Sequence, residues 1–437
     1  MDKSKPVSVF WFRRDLRLED NAGLYHALKG TNPVLPVFIF DKEILDKLED
    51  KDDARVTFIH QAIEHLDGEL QKMGSRLLVL YDNPQNAWRR LLTDHTIAAV
   101  YTNHDYEPYA KERDAGISKL LKERGIPFHT YKDQVIFDRD EVLKDDGKPY
   151  TVYTPYNRKW YQKLTPFYLE AYPNKKYFKN FLNVTAGDIP SLGEMGFKKS
   201  DREFPAIHYK NYIADYPEKR DLPAIKGTTH IGLHLRFGTV SIRELARTAN
   251  EFKEKTWLNE LIWREFYMMI LDHFPKTATQ SFKPEYDRIK WVNNEDQFEA
   301  WCKGETGFPL VDAGMRELNA TGYMHNRVRM VTASFLTKDL LIDWRWGERY
   351  FARKLLDYEM ASNVGGWQWS AGCGTDAAPY FRIFNPDAQL KKFDPELKYV
   401  KKWVPEYADF TKYPRPIIDH GFARERCLRV FKEALKD

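Results

Sequence analysis

Short apolar runs alternate with amphipathic segments over residues 1–130, and this alternation constrains the fold more than any other feature. The apolar runs are typical of buried strands and comprise VSVFWF (7–12), VLPVFIF (34–40), RLLVLYD (76–82) and IAAVYTN (97–103). Two intervening segments, 52–74 and 108–125, have helical periodicity and end at glycine. Strands that alternate with helices usually pair in parallel and are covered on both faces. We therefore predict an α/β domain whose ligand-binding loops follow the carboxyl ends of its strands.

The second half of the chain has a different pattern. Helical periodicity dominates after residue 225, in segments 241–252, 257–274, 309–322, 326–341 and 347–361. Residues 131–215 are rich in Pro, Lys and Tyr and have few long periodic runs. We predict three parts: an α/β domain over 1–130, a connector over 131–215 and an all-α domain over 216–437.

Composition excludes several classes of protein. The 68 basic and 64 acidic side chains leave a net charge of only +4, so this is not a dedicated polybasic protein. The three cysteines are far apart and form no C-x-x-C pair, so we predict neither a disulfide framework nor a metal site. No apolar run approaches the roughly 18 residues of a membrane span, and we expect a cytoplasmic protein.

Four long motifs in order resemble the photolyase/cryptochrome family. They are FWFRRDLRLEDN (10–21), NELIWREFYMMI (259–270), GYMHNRVRMVTASFLTKDLLIDWRWGERYF (322–351) and NVGGWQWSAGCGTDAAPYFRIFNP (363–386). Within that family, the motifs look most like those of class I cyclobutane pyrimidine dimer photolyases. The resemblance implies a monomer that binds damaged DNA, single- or double-stranded. It also implies a helical domain that holds FAD, whose reduced anionic form donates an electron, on excitation by light, to a dimer flipped out of the DNA.

Two tryptophans that lie two residues apart receive different roles. Side chains at this spacing point about 200° apart on a helix, so Trp367 and Trp369 should lie in different environments. By resemblance, Trp367 begins an electron-transfer chain that continues through Trp344 and Trp291, whereas Trp369 stacks on the lesion. Without the motif, both would be interpreted as core residues.

The opposite wall of the predicted lesion site comes from ELIWRE. Glu260 and Trp263 are three residues apart and therefore neighbours on one helical face, with Arg264 alongside. The resemblance implies that Trp263 packs on the dimer and that Glu260 binds the pyrimidine carbonyl edge and stabilises its radical anion. On spacing alone, a surface Glu–Arg pair beside a core tryptophan is the simpler interpretation.

The remaining predicted contacts also follow from the resemblance. Asn326, Arg327 and Met330 would contact the lesion or its backbone, and Arg329 would pair with Asp357 beside the flavin. Further DNA contacts would be Arg220, Arg327, Arg382, Gln389 and Lys392, with cations neutralising phosphate without regard to sequence. The predicted cofactor contacts are Tyr216, Thr228, Thr229, His230, Ile231, Gly232, Trp257, Arg264, Arg329, Asp357, Glu359 and Asn363.

Five positions bear on the subfamily and its chromophores. Asn363 matches the residue that faces flavin N5, although an Asn before Gly365 and Gly366 also fits a helix C-cap. Gly232 and Glu359 depart from the common Ser and Asp of the family. Tyr109 and Ala110 stand where folate-binding relatives carry an Asn–Glu pair, which argues against a folate antenna. A deazaflavin, a second flavin or an empty antenna site remain open.

Two other functions remain open at this stage. A cryptochrome-type photoreceptor is the main alternative, and Asn363, Met330 and Trp369 argue against it. A flavoprotein oxidoreductase that works in the dark is the other, but no stretch of the sequence resembles a nicotinamide site.

Overall fold

The structure, a computed structural model, describes residues 5–184 and 187–436. The chain forms two compact units, and each of them is assembled from three stretches of sequence. The first unit comprises Met1–Glu141, Lys163–Ile207 and Ile231–Glu251, and the second comprises Val142–Gln162, His208–His230 and Phe252–Asp437. The stretch predicted as a connector is therefore shared between the two units.

A five-stranded parallel sheet forms the core of the first unit. Its strands are β1 (Val7–Phe12), β2 (Val34–Asp41), β3 (Leu78–Asp82), β4 (Ile97–Asn103) and β5 (Phe128–Tyr131). They are ordered β3-β2-β1-β4-β5, and every neighbouring pair is parallel. All residues of β1 and β2 are buried, as continuous apolar runs predict for central parallel strands. The sequence analysis missed β5, because FHTY lacks an apolar run and its two middle residues are exposed.

Helices accompany these strands in the first unit. They comprise Ala22–Leu28, Lys42–Leu45, Ala54–Gln71, Pro84–Asp94, Pro108–Lys122, Pro166–Leu169, Gly232–Phe237 and Ile242–Glu251, with a 3₁₀-helix at Asn174–Asn180. Several begin at an Asn or Asp whose side chain accepts a backbone N–H of the first turn, as at Asn21 and Asp53.

The second unit is helical in the part of the chain that the structure describes. Its α-helices are Tyr153–Lys163, Lys210–Ile213, Tyr216–Lys219, Thr256–His273, Glu295–Lys303, Pro309–Thr321, Asn326–Ser334, Trp344–Lys354, Met360–Ala371, Pro386–Phe393, Lys398–Trp403 and His420–Ala434. Short 3₁₀-helices lie at Pro275–Ala278 and Pro284–Arg288, and a π-helix at Phe335–Asp339. The predicted fold class, a parallel α/β unit and a helical unit, is confirmed.

Two predicted helices differ from the structure. The segment 347–361 was predicted as one helix, but the chain leaves helical geometry after Lys354 and a new helix begins at Met360. The break is stabilised because the Glu359 side chain caps the new helix. The segment 326–341 changes from α- to π-helix at Phe335, a local widening that often marks functional sites.

Aromatic side chains dominate the core of the second unit. Trp301, Trp344, Trp367, Phe335 and Phe351 are all at most 2% exposed and belong to one cluster. Among the residues described, no helix has the length and apolar character needed to cross a bilayer.

Candidate functional site

A cavity of about 390 Å³ in the second unit collects much of the predicted site. The predicted residues that line it are Arg220, Glu260, Trp263, Arg264, Asn326, Arg329, Met330, Asp357, Glu359, Asn363, Trp367 and Trp369. Its volume lies within the roughly 300–1,000 Å³ that is usual for small-molecule sites. Residues predicted to contact the cofactor and residues predicted to contact the lesion therefore share one cavity.

Helix Thr256–His273 supplies one wall. Glu260, Trp263, Arg264 and Tyr267 recur at helical spacing and line the cavity together. Glu260 is paired with Arg220, not with a cation of its own helix, since Arg220 Nη1 donates to Glu260 Oε1. Burial raises the pKa of the Glu260 carboxyl above its ordinary value, and the Arg220 guanidinium opposes that rise.

Trp263 is held from behind by an aromatic residue that the sequence analysis did not identify. The ring of Tyr153 stacks on Trp263 with centroids 3.6 Å apart and an interplanar angle of 7°. The Tyr153 hydroxyl donates to the carbonyl oxygen of Asn259, at 2.9 Å, which ties the ring to the same helix. The indole that would face a lesion is thus fixed in orientation before any ligand binds.

Helix Met360–Ala371 supplies the opposite wall. Its start is capped by Glu359, whose carboxylate accepts from the backbone N–H groups of Ala361 at 3.2 Å and Ser362 at 3.0 Å. The helix runs on through Gly366 and ends at Gly372, which has a φ of +90°. The alternative interpretation of Asn363 as a C-cap is therefore wrong, because Asn363 lies in the first half of a helix that ends nine residues later.

The amide of Asn363 is oriented by a second helix. Its Nδ2 donates to Glu348 Oε1 at 2.9 Å and to the Glu348 carbonyl oxygen at 3.2 Å. Burial raises the pKa of the Glu348 carboxyl, and the hydrogen bond from Asn363 opposes that rise. With Nδ2 engaged, the acceptor Oδ1 is the end of the amide that remains for a ligand in the cavity.

An ion pair closes another side of the cavity. Arg329 Nη2 lies 2.9 Å and 3.1 Å from the two carboxylate oxygens of Asp357, which is the pairing that the resemblance implies. Arg329 Nε also donates to the carbonyl oxygen of Met324 at 2.7 Å. The guanidinium is therefore fixed by two chain segments, the one just before its own helix and the one before Met360.

The three tryptophans of the predicted electron-transfer chain belong to one packed region. Trp344 and Trp367 are buried in the same core cluster, and Trp291 packs against it. The Trp367 ring lies against Gly347, one turn along the helix from Trp344, so closely that a Cβ at Gly347 would clash with it. Trp369, by contrast, is only partly buried, although both Trp367 and Trp369 reach the cavity.

Some predicted cofactor residues lie outside this lining. Thr228 Oγ1 is 3.2 Å from the Tyr323 hydroxyl, and the His230 ring stacks on Tyr323 with centroids 3.8 Å apart. Trp257 is 3% exposed and stacks on Tyr209. Tyr216, Thr229 and the residues just named do not line the cavity, and Ile231 and Gly232 belong to the first unit.

The predicted DNA contacts divide in the same way. Arg220 lines the cavity, whereas Arg327, Arg382, Gln389 and Lys392 do not. Arg327 and Lys392 both lie over the Phe393 ring, at 4.4 Å and 5.0 Å from its centroid. The carbonyl oxygen of Arg382 accepts from the buried Lys338 Nζ at 2.9 Å.

Sequence reasoning missed the residues that act through another side chain. Tyr153, Glu348, Lys338 and Asp221, which pairs with Arg327, were not predicted. Each meets its partner across a large separation in sequence or at an irregular spacing, which no local periodicity indicates.

The carboxyl edge of the sheet in the first unit contains a compact polar cluster. The Tyr109 hydroxyl donates to Asp41 Oδ2 at 2.7 Å, and burial together with this contact raises the pKa of Tyr109. Arg13 and Arg113 both lie 5.0 Å from the Trp11 ring, and both contact Asp114. The polar groups of the predicted ligand loops thus bind one another.

Comparison with known proteins agrees with this architecture. Residues 8–176 match the family model for DNA photolyase, and residues 257–412 match the model for the FAD binding domain of DNA photolyase. The chain is 36% identical to a deoxyribodipyrimidine photo-lyase of Synechococcus, over 97% of this chain and 96% of that protein. The chain therefore belongs to the photolyase/cryptochrome family, and the predicted membership is confirmed.

Two solved structures resemble this protein over nearly its whole length. A class III photolyase from Agrobacterium tumefaciens has a TM-score of 0.88 at 31% identity and covers 99% of this chain and 98% of its own. A photolyase from Sulfolobus tokodaii, solved with two FAD molecules, has a TM-score of 0.84 at 36% identity and covers 98% and 99%. The assignment to class I within the family stays a prediction.

Proposed function

We propose that the protein repairs cyclobutane pyrimidine dimers in DNA, using light absorbed by a reduced FAD. The observation that carries the proposal is the shared cavity: five of the residues matched to flavin contacts line the same space as Glu260, Trp263, Asn326, Met330 and Trp369, which are matched to lesion contacts. Glu260 and Trp263 lie on one wall, and Asn363 and Trp369 lie on the other. A cofactor and a substrate that exchange an electron need this proximity.

The cavity wall fits a flat cofactor. A Cβ at Gly366 would meet no atom within 4 Å, so the helix backbone is open to the cavity and permits close approach of a ring. Arg329 with Asp357 supplies an ion pair beside it, and Asn363 supplies an amide acceptor. When bound there, a reduced flavin excited by light would supply an electron to the dimer, whose two linking carbon–carbon bonds would then break, and the electron would return to the flavin without net oxidation.

The chain's own residues would orient the lesion. Trp263, backed by Tyr153, and Trp369 offer aromatic faces for the two bases of a flipped dimer. Glu260 would exchange its bond with Arg220 for hydrogen bonds with the pyrimidine edge. In its protonated form, the Glu260 carboxyl would donate to a carbonyl oxygen that gains negative charge, and burial raises its pKa in the direction of that form.

Illumination of a dimer-containing oligonucleotide tests the proposal. Protein with fully reduced flavin should restore unmodified thymines under blue or near-ultraviolet light and leave the dimer intact in the dark. Chromatography of the digested oligonucleotide measures the restored thymines and the remaining dimers. No restoration with fully reduced flavin would overturn the proposal and favour a photoreceptor.

A further inference from the structure

Four charged side chains of alternating sign form a row beside the cavity. Glu260 pairs with Arg220, the next residue is Asp221, and Asp221 pairs with Arg327 through Oδ1 and Nη2 at 2.9 Å. We call Glu260, Arg220, Asp221 and Arg327 the charge row. Asp221 is a member of the second pair and also acts on the first, since its charge raises the pKa of both Arg220 and Glu260.

Arg327 is incompletely satisfied in this arrangement. Its Nε is buried and has no hydrogen-bond partner among residues 5–184 and 187–436, while its guanidinium lies 4.4 Å from the centroid of Phe393. A buried donor without a partner is costly, so this resting position of the guanidinium is easily given up for a better acceptor. A DNA phosphate, with two acceptor oxygens for a planar guanidinium, is such an acceptor.

We propose that Asp221 is a specificity-determining residue that competes with DNA phosphate for Arg327. The inference rests on the proposed function, and it adds a residue that no family resemblance supplied. On undamaged DNA, Arg327 can only replace its ion pair with Asp221 by a contact with phosphate. A dimer in the cavity also occupies Glu260, which leaves Arg220 without its partner and beside Asp221.

Dimer-containing DNA and undamaged DNA therefore differ in whether they release Arg327 from Asp221. When Glu260 turns to the dimer, Arg220 attracts the neighbouring carboxylate of Asp221, and Arg327 is freed for phosphate. Undamaged DNA leaves Glu260 with Arg220, and Asp221 stays with Arg327. Asp221 thus weakens binding to undamaged DNA more than binding to dimer-containing DNA.

Binding of the FAD-loaded protein to labelled duplexes in the dark tests this. Asp221→Asn should tighten binding to undamaged DNA about 2- to 5-fold, the scale of one exposed ion pair, and should tighten binding to dimer DNA less. The slope of log Kd against log salt for undamaged duplex should steepen by up to about 0.9, one phosphate contact. In an Arg327→Gln background, Asp221→Asn should change neither quantity.

Asp215→Asn is the matched control. It removes the same charge six residues earlier, where Asp215 pairs with the exposed Lys219. Equal effects of Asp221→Asn and Asp215→Asn, equal tightening on both DNA forms, or an effect that persists without Arg327 would each overturn the inference. A wild-type protein that binds both DNA forms equally would contradict the proposed function instead, and Asp221→Asn would still report whether Asp221 competes for Arg327.

Discussion

Asn363 and Glu348 face each other from two helices, with Asn363 Nδ2 2.9 Å from Glu348 Oε1. The contact determines which end of the amide is available to the cavity. A residue that the family resemblance places at flavin N5 is therefore oriented by one that contacts no ligand itself.

Removal of the Glu348 acceptor should make bound flavin harder to reduce. Glu348→Leu removes the side-chain acceptor of Asn363 Nδ2 and leaves only the 3.2 Å contact with the main-chain carbonyl oxygen, so the amide is held less firmly and its Oδ1 becomes a weaker acceptor for the protonated N5 of reduced flavin. A hydrogen bond of about 1–3 kcal/mol corresponds to a fall of roughly 20–60 mV in the two-electron midpoint potential. Redox titration measures the midpoint potential, and Glu348→Gln, which keeps a side-chain acceptor, is the control. Equal potentials in wild type and Glu348→Leu would show that the contact does not tune the flavin.

A side chain at Gly366 should exclude the cofactor without harming the fold. Gly366→Leu places four carbons in the cavity, whereas leucine is about 1 kcal/mol better than glycine within a helix. We expect FAD affinity to fall at least about tenfold, or about 1.4 kcal/mol, with an unchanged or higher melting temperature. Gly68→Leu, in a helix of the first unit where a Cβ also meets nothing, is the control. Normal FAD content in Gly366→Leu would mean that the flavin lies elsewhere.

Tyr153 should contribute to lesion binding although it does not line the cavity. Tyr153→Leu removes the ring that stacks on Trp263, and such aromatic pairs contribute about 0.5–1.5 kcal/mol. Binding to dimer-containing DNA in the dark should weaken about 2- to 12-fold, while binding to undamaged DNA stays constant. Tyr153→Phe keeps the ring and should retain most of the affinity. Equal losses for both substitutions would assign the effect to the hydroxyl contact with Asn259.

The buried Lys338 should make stability rise with pH above 8. Burial lowers the pKa of Lys338 to about 8, the positive charge of Arg382 acts in the same direction, and the negative charge of Asp339 opposes it. Between pH 8 and about 10.4 the unfolded chain binds the proton that the folded chain has lost, so unfolding becomes less favourable as pH rises.

Substitution of Lys338 isolates this contribution. Urea unfolding at pH 7, 8, 9 and 10 measures the free energy of unfolding of wild type and of Lys338→Met. Between pH 7 and pH 10 this free energy should rise by up to about 3 kcal/mol more in wild type than in Lys338→Met. Other groups titrate equally in both proteins, so the difference isolates Lys338. Parallel stability curves for the two proteins would show that Lys338 stays charged throughout.

The sequence predicted those parts of the structure that local patterns specify. The fully buried runs of β1 and β2 are local properties of the chain, and so is the recurrence of Glu260, Trp263 and Arg264 on one helical face. Family motifs added the pairing of Arg329 with Asp357.

The features that the sequence did not predict depend on tertiary contacts. Helical periodicity continues across residues 355–359, but the chain leaves helical geometry there, where Glu359 caps the next helix and Asp357 pairs with Arg329. Tyr153 lies more than a hundred residues before Trp263, and its stacking follows from how the helices pack. Neither spacing nor residue type indicates such pairs.

The central claim, that lesion and flavin share one cavity, is tested most directly by the excited-state lifetime of reduced flavin in the bound protein. An electron acceptor in contact with the flavin opens a new route for decay, so dimer-containing DNA should shorten the lifetime and undamaged DNA should not. Trp263→Ala with Trp369→Ala, which removes both aromatic faces, should abolish the shortening while FAD stays bound. An unchanged lifetime at saturating dimer DNA would contradict the account.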